Sequence, residues 1–154
     1  MRAVVQRVSE GGVYIEKENY KAEISKGLVI LLGIKSDDSL ADMEFVADKC
    51  SSLRIFEDEN EKMNLSLKDV NGEVLIISQF TLYGDAQKGN RPSFIDAARP
   101  EVAIPLYEKF IERMKNNLGE DKVKTGLFGA MMKVKIINDG PVTIIIESKN
   151  NKAK

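Results

Sequence analysis

Apolar positions along the chain recur in two rhythms, one alternating or continuous over strand lengths and one at helical spacing. Met1–Val8 alternates loosely and stops at Ser9-Glu10-Gly11-Gly12, which predicts a turn. Val13-Tyr14-Ile15 resumes a strand, Lys17-Glu18-Asn19 breaks it, and Lys21–Ile24 returns. Gly27–Ile34 is apolar throughout, the pattern of a strand covered on both faces. Ser36-Asp37-Asp38-Ser39 offers N-caps for a helix whose apolar stripe is Leu40, Met43, Val46, Ala47, Cys50 and Leu53. Ile55-Phe56 predicts a short strand, and Asp58–Lys62 a solvated acidic loop. Val74–Tyr83 begins as a core strand and turns polar at alternate positions from Ser78 onward.

Ile104, Tyr107, Ile111, Met114 and Leu118 predict a second helix, ended by Gly119 and started either at Pro100 or, if Pro105 is not tolerated inside, near Pro105. Met132–Ile136 alternates with Lys133 and Lys135, and a hairpin turning at Asn138–Pro141 is predicted to close the chain. The order of strands, helix, strands, helix, strands predicts an α+β fold, with a twisted, largely antiparallel, barrel-like sheet and two packed helices. One domain is expected over 1–148, followed by a frayed polar tail at 149–154.

Composition narrows the chemistry. The 154 residues include one cysteine and no histidine. Serine–histidine and cysteine–histidine mechanisms are thereby excluded, as are intrachain disulfides and histidine-built zinc sites. Cys50, on the helix stripe, reads as a small buried hydrophobe. A net charge of −1 argues against a broad nucleic-acid footprint and leaves room for a local basic patch. No export signal and no membrane-length apolar run is read, so a cytoplasmic protein is expected. No phosphate-loop motif occurs, and no metal or cofactor is expected.

Three segments can carry chemistry. Ser78-Gln79-Phe80-Thr81 puts hydroxyl and amide groups at the end of a core strand, either as a site or as an ordinary surface turn. Lys88-Gly89-Asn90-Arg91-Pro92-Ser93-Phe94 is either a phosphate contact or a solvated loop. Asn138-Asp139-Gly140-Pro141 is either hairpin chemistry or a backbone shape held for use.

Together with "MRAVVQRVS" (1–9), "GLVILLGI" (27–34), "LRIFEDENEKMNLSL" (53–67), "RPSF" (91–94) and "TGLFGAMMKV" (125–134), the motifs "SQFTLYGD" (78–85) and "NDGPVT" (138–143) make the chain resemble the D-aminoacyl-tRNA deacylase family from Met1 to about Ser148. The resemblance implies a homodimer that hydrolyses the ester between a D-amino acid, or glycine, and the 3′-terminal adenosine of tRNA. It implies a cis Gly140–Pro141 bond inserted into the partner's site, whose carbonyls capture the substrate amino group and whose bulk excludes an L side chain. Ser78, Gln79, Phe80 and Thr81 would form the catalytic pocket, with an oxyanion held by backbone N–H groups. Catalysis would be assisted by the tRNA 2′-hydroxyl in preference to a Thr81 nucleophile. Phe128, Gly129 and Ala130 would wall the adenosine, and Asn138 would join Gly140 and Pro141 in binding substrate. Met131 departs from the acidic residue usual there, and Gly11-Gly12 from the usual small residues. Two other readings stay open: a non-catalytic dimeric module with 138–143 as an interface turn, and an esterase for small D-amino-acid esters.

Overall fold

The computed structural model describes residues 1–149, so the expected tail lies, apart from Lys149, outside the described residues. Eight strands form: β1 (Arg2–Ile15), β2 (Tyr20–Ile24), β3 (Gly27–Gly33), β4 (Phe56–Glu57), β5 (Met63–Leu65), β6 (Glu73–Ser78), β7 (Val123–Thr125) and β8 (Lys133–Glu147). Two helices, α1 (Leu40–Ser52) and α2 (Pro100–Leu118), accompany them. β1 carries β8 on one edge and β2 and β3 in succession on the other, all antiparallel. β6 and then β7 extend the sheet from β3 in parallel. Parallel neighbours need a crossover, and α1 and α2 lie within the connections that supply it. The sheet is therefore mixed. It curls toward a barrel, with Tyr20 of β2 donating its hydroxyl to the carbonyl of Thr125 on β7 at 2.6 Å.

Both faces of this sheet are covered, which is why β3 has no polar residue. Leu28, Ile30 and Leu32 pack in the core beneath the helices with Val46, Phe110 and Met114. Val29 joins Val8, Val13, Ile15, Leu75 and Ile77 in a second core on the concave side. The helix α1 starts as read: Ser39 Oγ accepts from the Asp42 N–H, and the Asp42 carboxylate accepts from the Ser39 N–H. Cys50 is fully buried in the helix-side core, and burial pushes its thiol up to about 12. The two helices are clamped where Arg113 donates twice to Asp48, both at 2.8 Å, with Asn117 adding a third bond.

Four expectations need correction. Ser9–Gly12 is no turn but the middle of β1, where its register with β8 shifts. The extra residues change which side chains face which core, and a Cβ on Gly11 would meet Val29 Cγ2 at 2.8 Å. Of the two starts left open for α2, the helix takes Pro100, and Pro105 sits inside it on the exposed side, where the missing N–H leaves no buried carbonyl orphaned. Its buried residues are Ala103, Leu106, Tyr107, Phe110 and Met114, so the stripe is rotated from the one read, and Ile104 is exposed; likewise Leu40 lies outside the α1 stripe. Finally, Asn138–Pro141 closes no hairpin. β8 runs on through it as one strand against β1, with Asn138 opposite Val8 and Thr143 opposite Gln6. Residues 139–142 stand opposite the single residue Arg7, with 139–141 exposed and Val142 buried in the helix-side core.

Candidate active site

The segment 78–81 sits at the carboxyl end of β6, beside the ends of its parallel neighbours β3 and β7, the place where open parallel sheets bind ligands. β6 stops at Ser78 because Gln79 leaves the ladder, although its N–H still donates to Leu32 O at 2.8 Å. Phe80–Tyr83, read as strand from the sequence, forms a single 3-10 turn instead. The N–H groups of Phe80 and Thr81 open this turn, so neither has a partner within it, and both remain available as donors. Arg2 of β1 holds the turn from below, its Nη1 donating to Leu82 O at 2.8 Å while its other nitrogens grip Glu147. Thr81 Oγ1 accepts from Gln79 Nε2 at 3.1 Å. An amide cannot take a proton from a hydroxyl, and Tyr83 beside it has its phenol pushed up by burial. Phe80 is exposed and meets Phe94 edge-on, ring centres 5.2 Å apart, so the basic loop after Gly84 returns to the site through this aromatic pair.

The next wall is the turn after β7. Ala130 N donates to Leu127 O at 3.2 Å, and Gly129 occupies the third position with φ +77. That is the type II geometry in which glycine is required. Phe128 leans on Tyr107, with centroids 5.7 Å apart, and a Cβ on Gly129 would face open space. Ala130 is half-buried on the concave core, while Met131 is 90% exposed. The structure thus brings 78–81 and 126–130 to the ends of adjacent strands.

It does not bring Gly140 and Pro141 there. Ser78 pairs through Leu32 with Ala3, whereas the bulge faces Arg7, four residues along β1 and three strands away from β6. At about 3.3 Å per residue and 4.8 Å per strand, the two segments are about 20 Å apart along the sheet. The bulge is held from inside. Arg7, a buried polar side chain, donates Nε to Asp139 O at 2.9 Å and Nη1 to Ile55 O at 2.8 Å. Asn138 closes the base, accepting from Val142 N at 2.9 Å and donating to Thr143 Oγ1 at 3.1 Å. These bonds tie the amide to the bulge and use one of its two N–H donors. The Gly140–Pro141 bond is cis, Gly140 has φ +141, and both residues are exposed. The ladder skips them, so their carbonyls stand outside it.

Arg2 and Arg7 were not singled out from the sequence. Each reads as an ordinary polar position of a strand, and the one available signal was Arg7 on the otherwise small and apolar side of "AVVQRV". The acidic loop is self-contained, since the Asp58 carboxylate accepts from the N–H groups of Asn60 and Lys62 and from Asn64. No helix among the described residues is long and apolar enough to cross a membrane.

Comparison with known proteins shows the family and the fold. The family model described as D-Tyr-tRNA(Tyr) deacylase matches residues 4–147. A D-aminoacyl-tRNA deacylase of Flavobacterium psychrophilum is 55% identical, over 97% of this chain and 99% of that one. One from Fusobacterium nucleatum is 54% identical over the whole of both chains. Among solved structures, a c-Myc DNA unwinding element binding protein superposes with a TM-score of 0.91 at 40% identity, covering 97% of this chain and 100% of that one. A probable eukaryotic D-amino acid tRNA deacylase shares the fold, with a TM-score of 0.83 at 17% identity over 95% of this chain and 98% of that one. The chain belongs to the D-Tyr-tRNA(Tyr) deacylase family.

Proposed function

We propose that the protein hydrolyses the ester of D-aminoacyl-tRNA, releasing tRNA and the D-amino acid, and works as a homodimer in which the Gly140–Pro141 bulge of one subunit enters the site of the other. The bulge and the 78–81 turn are too far apart to act on one substrate within a subunit. The bulge is also rigidly held yet exposed, as an inserted element must be. In the assembled site the Gly140 and Pro141 carbonyls accept from the substrate ammonium, and the packed backbone leaves no room for an L side chain. A glycine ester has no side chain to exclude, so glycyl-tRNA is accepted as well. Discrimination of this kind works by rejecting the wrong enantiomer.

At the reacting carbon, the N–H groups of Phe80 and Thr81 receive the developing oxyanion, with Phe80 the principal donor, and Phe128–Ala130 flank the adenosine. Water adds to the ester carbonyl, the bond to the 3′ oxygen breaks, and the water's proton reaches that oxygen by way of the 2′-hydroxyl. The observation that carries this reading is the partner of Thr81: an amide, not a base. Positioning then supplies much of the rate.

Matched D- and L-aminoacyl-tRNA, a 2′-deoxy substrate and a small D-amino-acid ester test the reading together. Release from the D-ester of tRNA, with a loss of about a hundredfold on removing the 2′-hydroxyl, is expected. No release from any ester points to a non-catalytic module, and equal rates on the small ester point to a general esterase. An acyl-enzyme trapped on Thr81 overturns the substrate-assisted step.

A further inference from the structure

Beyond the segments discussed so far, the opposite end of β1 carries an unassigned groove of about 830 Å³ between β2, the Glu16–Glu18 turn and the start of β8. Three features of it converge. Tyr14 of β1 pairs directly with Lys21 on one side and Lys133 on the other, so a cation, an aromatic ring and a second cation stand in a row on one face. The ring lies down along the sheet: a Cβ at Gly12 would meet its hydroxyl at 2.7 Å and its Cζ at 3.1 Å. Its hydroxyl donates to Glu23 at 2.7 Å, which fixes that pose. Lys17 adds a third cation at the rim, and none of the three lysines has an ion-pair partner among the described residues. The carboxylates nearby are Glu16 in the lining, Glu23 bound to Tyr14, and Glu10, which is neutralised by Lys135 at 2.5 Å.

The groove adjoins the 126–130 turn of the candidate site. Met131 and Met132 line it and directly follow Ala130, and Tyr20 in its wall bonds the β7 carbonyl that precedes the 126–130 turn. An aromatic face flanked by free cations is the arrangement that holds single-stranded nucleic acid, with bases stacked and phosphates paired. We propose that this groove binds the single-stranded RNA segment just before the terminal adenosine, Tyr14 stacking a base and Lys17, Lys21 and Lys133 contacting its phosphates. The proposal rests on the reading of the protein as a tRNA deacylase. It also accounts for a nearly neutral protein engaging RNA, because a short basic row suffices for the end of the molecule.

The test uses a short single-stranded RNA bearing an amide-linked D-alanine at its 3′ end, titrated against the full-length protein at several KCl concentrations. Each phosphate contact on a single strand contributes about 0.7 to the slope of log Kd against log salt. The triple variant K17Q/K21Q/K133Q is therefore expected to lower the slope by about 2 and to weaken binding about tenfold or more at low salt. Tyr14→Leu weakens binding about tenfold with the slope unchanged. Hydrolysis of phosphate-free D-alanyl-adenosine stays at the wild-type rate in both variants. An unchanged Kd and slope, an equal loss on D-alanyl-adenosine, or an altered oligomeric state in the triple variant overturns the proposal. A wild-type protein that leaves D-aminoacyl-tRNA intact overturns the deacylase reading instead.

Discussion

The 78–81 turn and the 139–142 bulge are both interruptions of strands, yet they offer opposite chemistry. The turn ends a parallel strand by winding into one helical turn, which frees N–H donors at Phe80 and Thr81. The bulge leaves an antiparallel strand and rejoins it, which frees carbonyl acceptors at Gly140 and Pro141. Each is fixed by an arginine of β1, Arg2 holding Leu82 O and Arg7 holding Asp139 O. A developing oxyanion needs donors and a substrate ammonium needs acceptors, so two kinds of broken ladder suit the two ends of one aminoacyl ester. On the proposed reading backbone atoms would do this work, and the chemistry would need no histidine.

The contrast can be broken most sharply at Arg7. Arg7→Met removes the donor to two carbonyls and is expected to cost about 2–4 kcal/mol of stability, measured by denaturant unfolding. It should also let the L-aminoacyl ester be hydrolysed, because the bulge is no longer braced. Gly140→Ala comes next. Its Cβ would stand 2.7 Å from Val142 Cγ2 at a φ of +141, so a loss of about 1–3 kcal/mol and a weakened preference for D-substrates are expected. On the donor side, Thr81→Ala should leave the rate within about tenfold of wild type, since only a hydrogen bond from Gln79 is removed. A rate below a thousandth of wild type would make the hydroxyl, and not the backbone, the working group.

The smallest effect belongs to neither segment. Asp48 is held at about 2, below its ordinary 3.8, by the guanidinium of Arg113 and the amide of Asn117. A depressed carboxylate stabilises the fold above its ordinary value and ceases to do so as pH falls toward 2. Asp48→Asn should therefore differ from wild type by under about 1 kcal/mol at pH 7, given how exposed the pair is, and by progressively less between pH 4 and 2. Urea unfolding across that range measures it, and activity should not change.

Where local physics decides, the sequence was readable. The apolar run 27–34 had to be covered twice, and a residue among 36–39 had to cap a helix. The donor segment was legible because polarity breaks into a core strand at Ser78. The bulge was legible as a turn but not as a bulge. Its turn residues are the same in both cases, and only the pairing of 138 with Val8 and 143 with Gln6, on a strand far away in sequence, tells them apart. Arg7 escaped for the same reason, since its partners Ile55 and Asp139 are distant along the chain. The rotated stripe of α2 shows the other limit: Ile104 and Leu106 are equally apolar, and packing alone chose Leu106.

One consequence of the bulge concerns its length. Four residues stand opposite one, and the strand resumes with Ile144 and Ile146 turned inward against the helix-side core. Adding or removing a single residue cannot be absorbed by sliding, because a slip of one would turn those isoleucines outward. The count of residues is metered by the sheet, which makes the bulge a fixed-gauge fitting whose projection from the strand is set in advance.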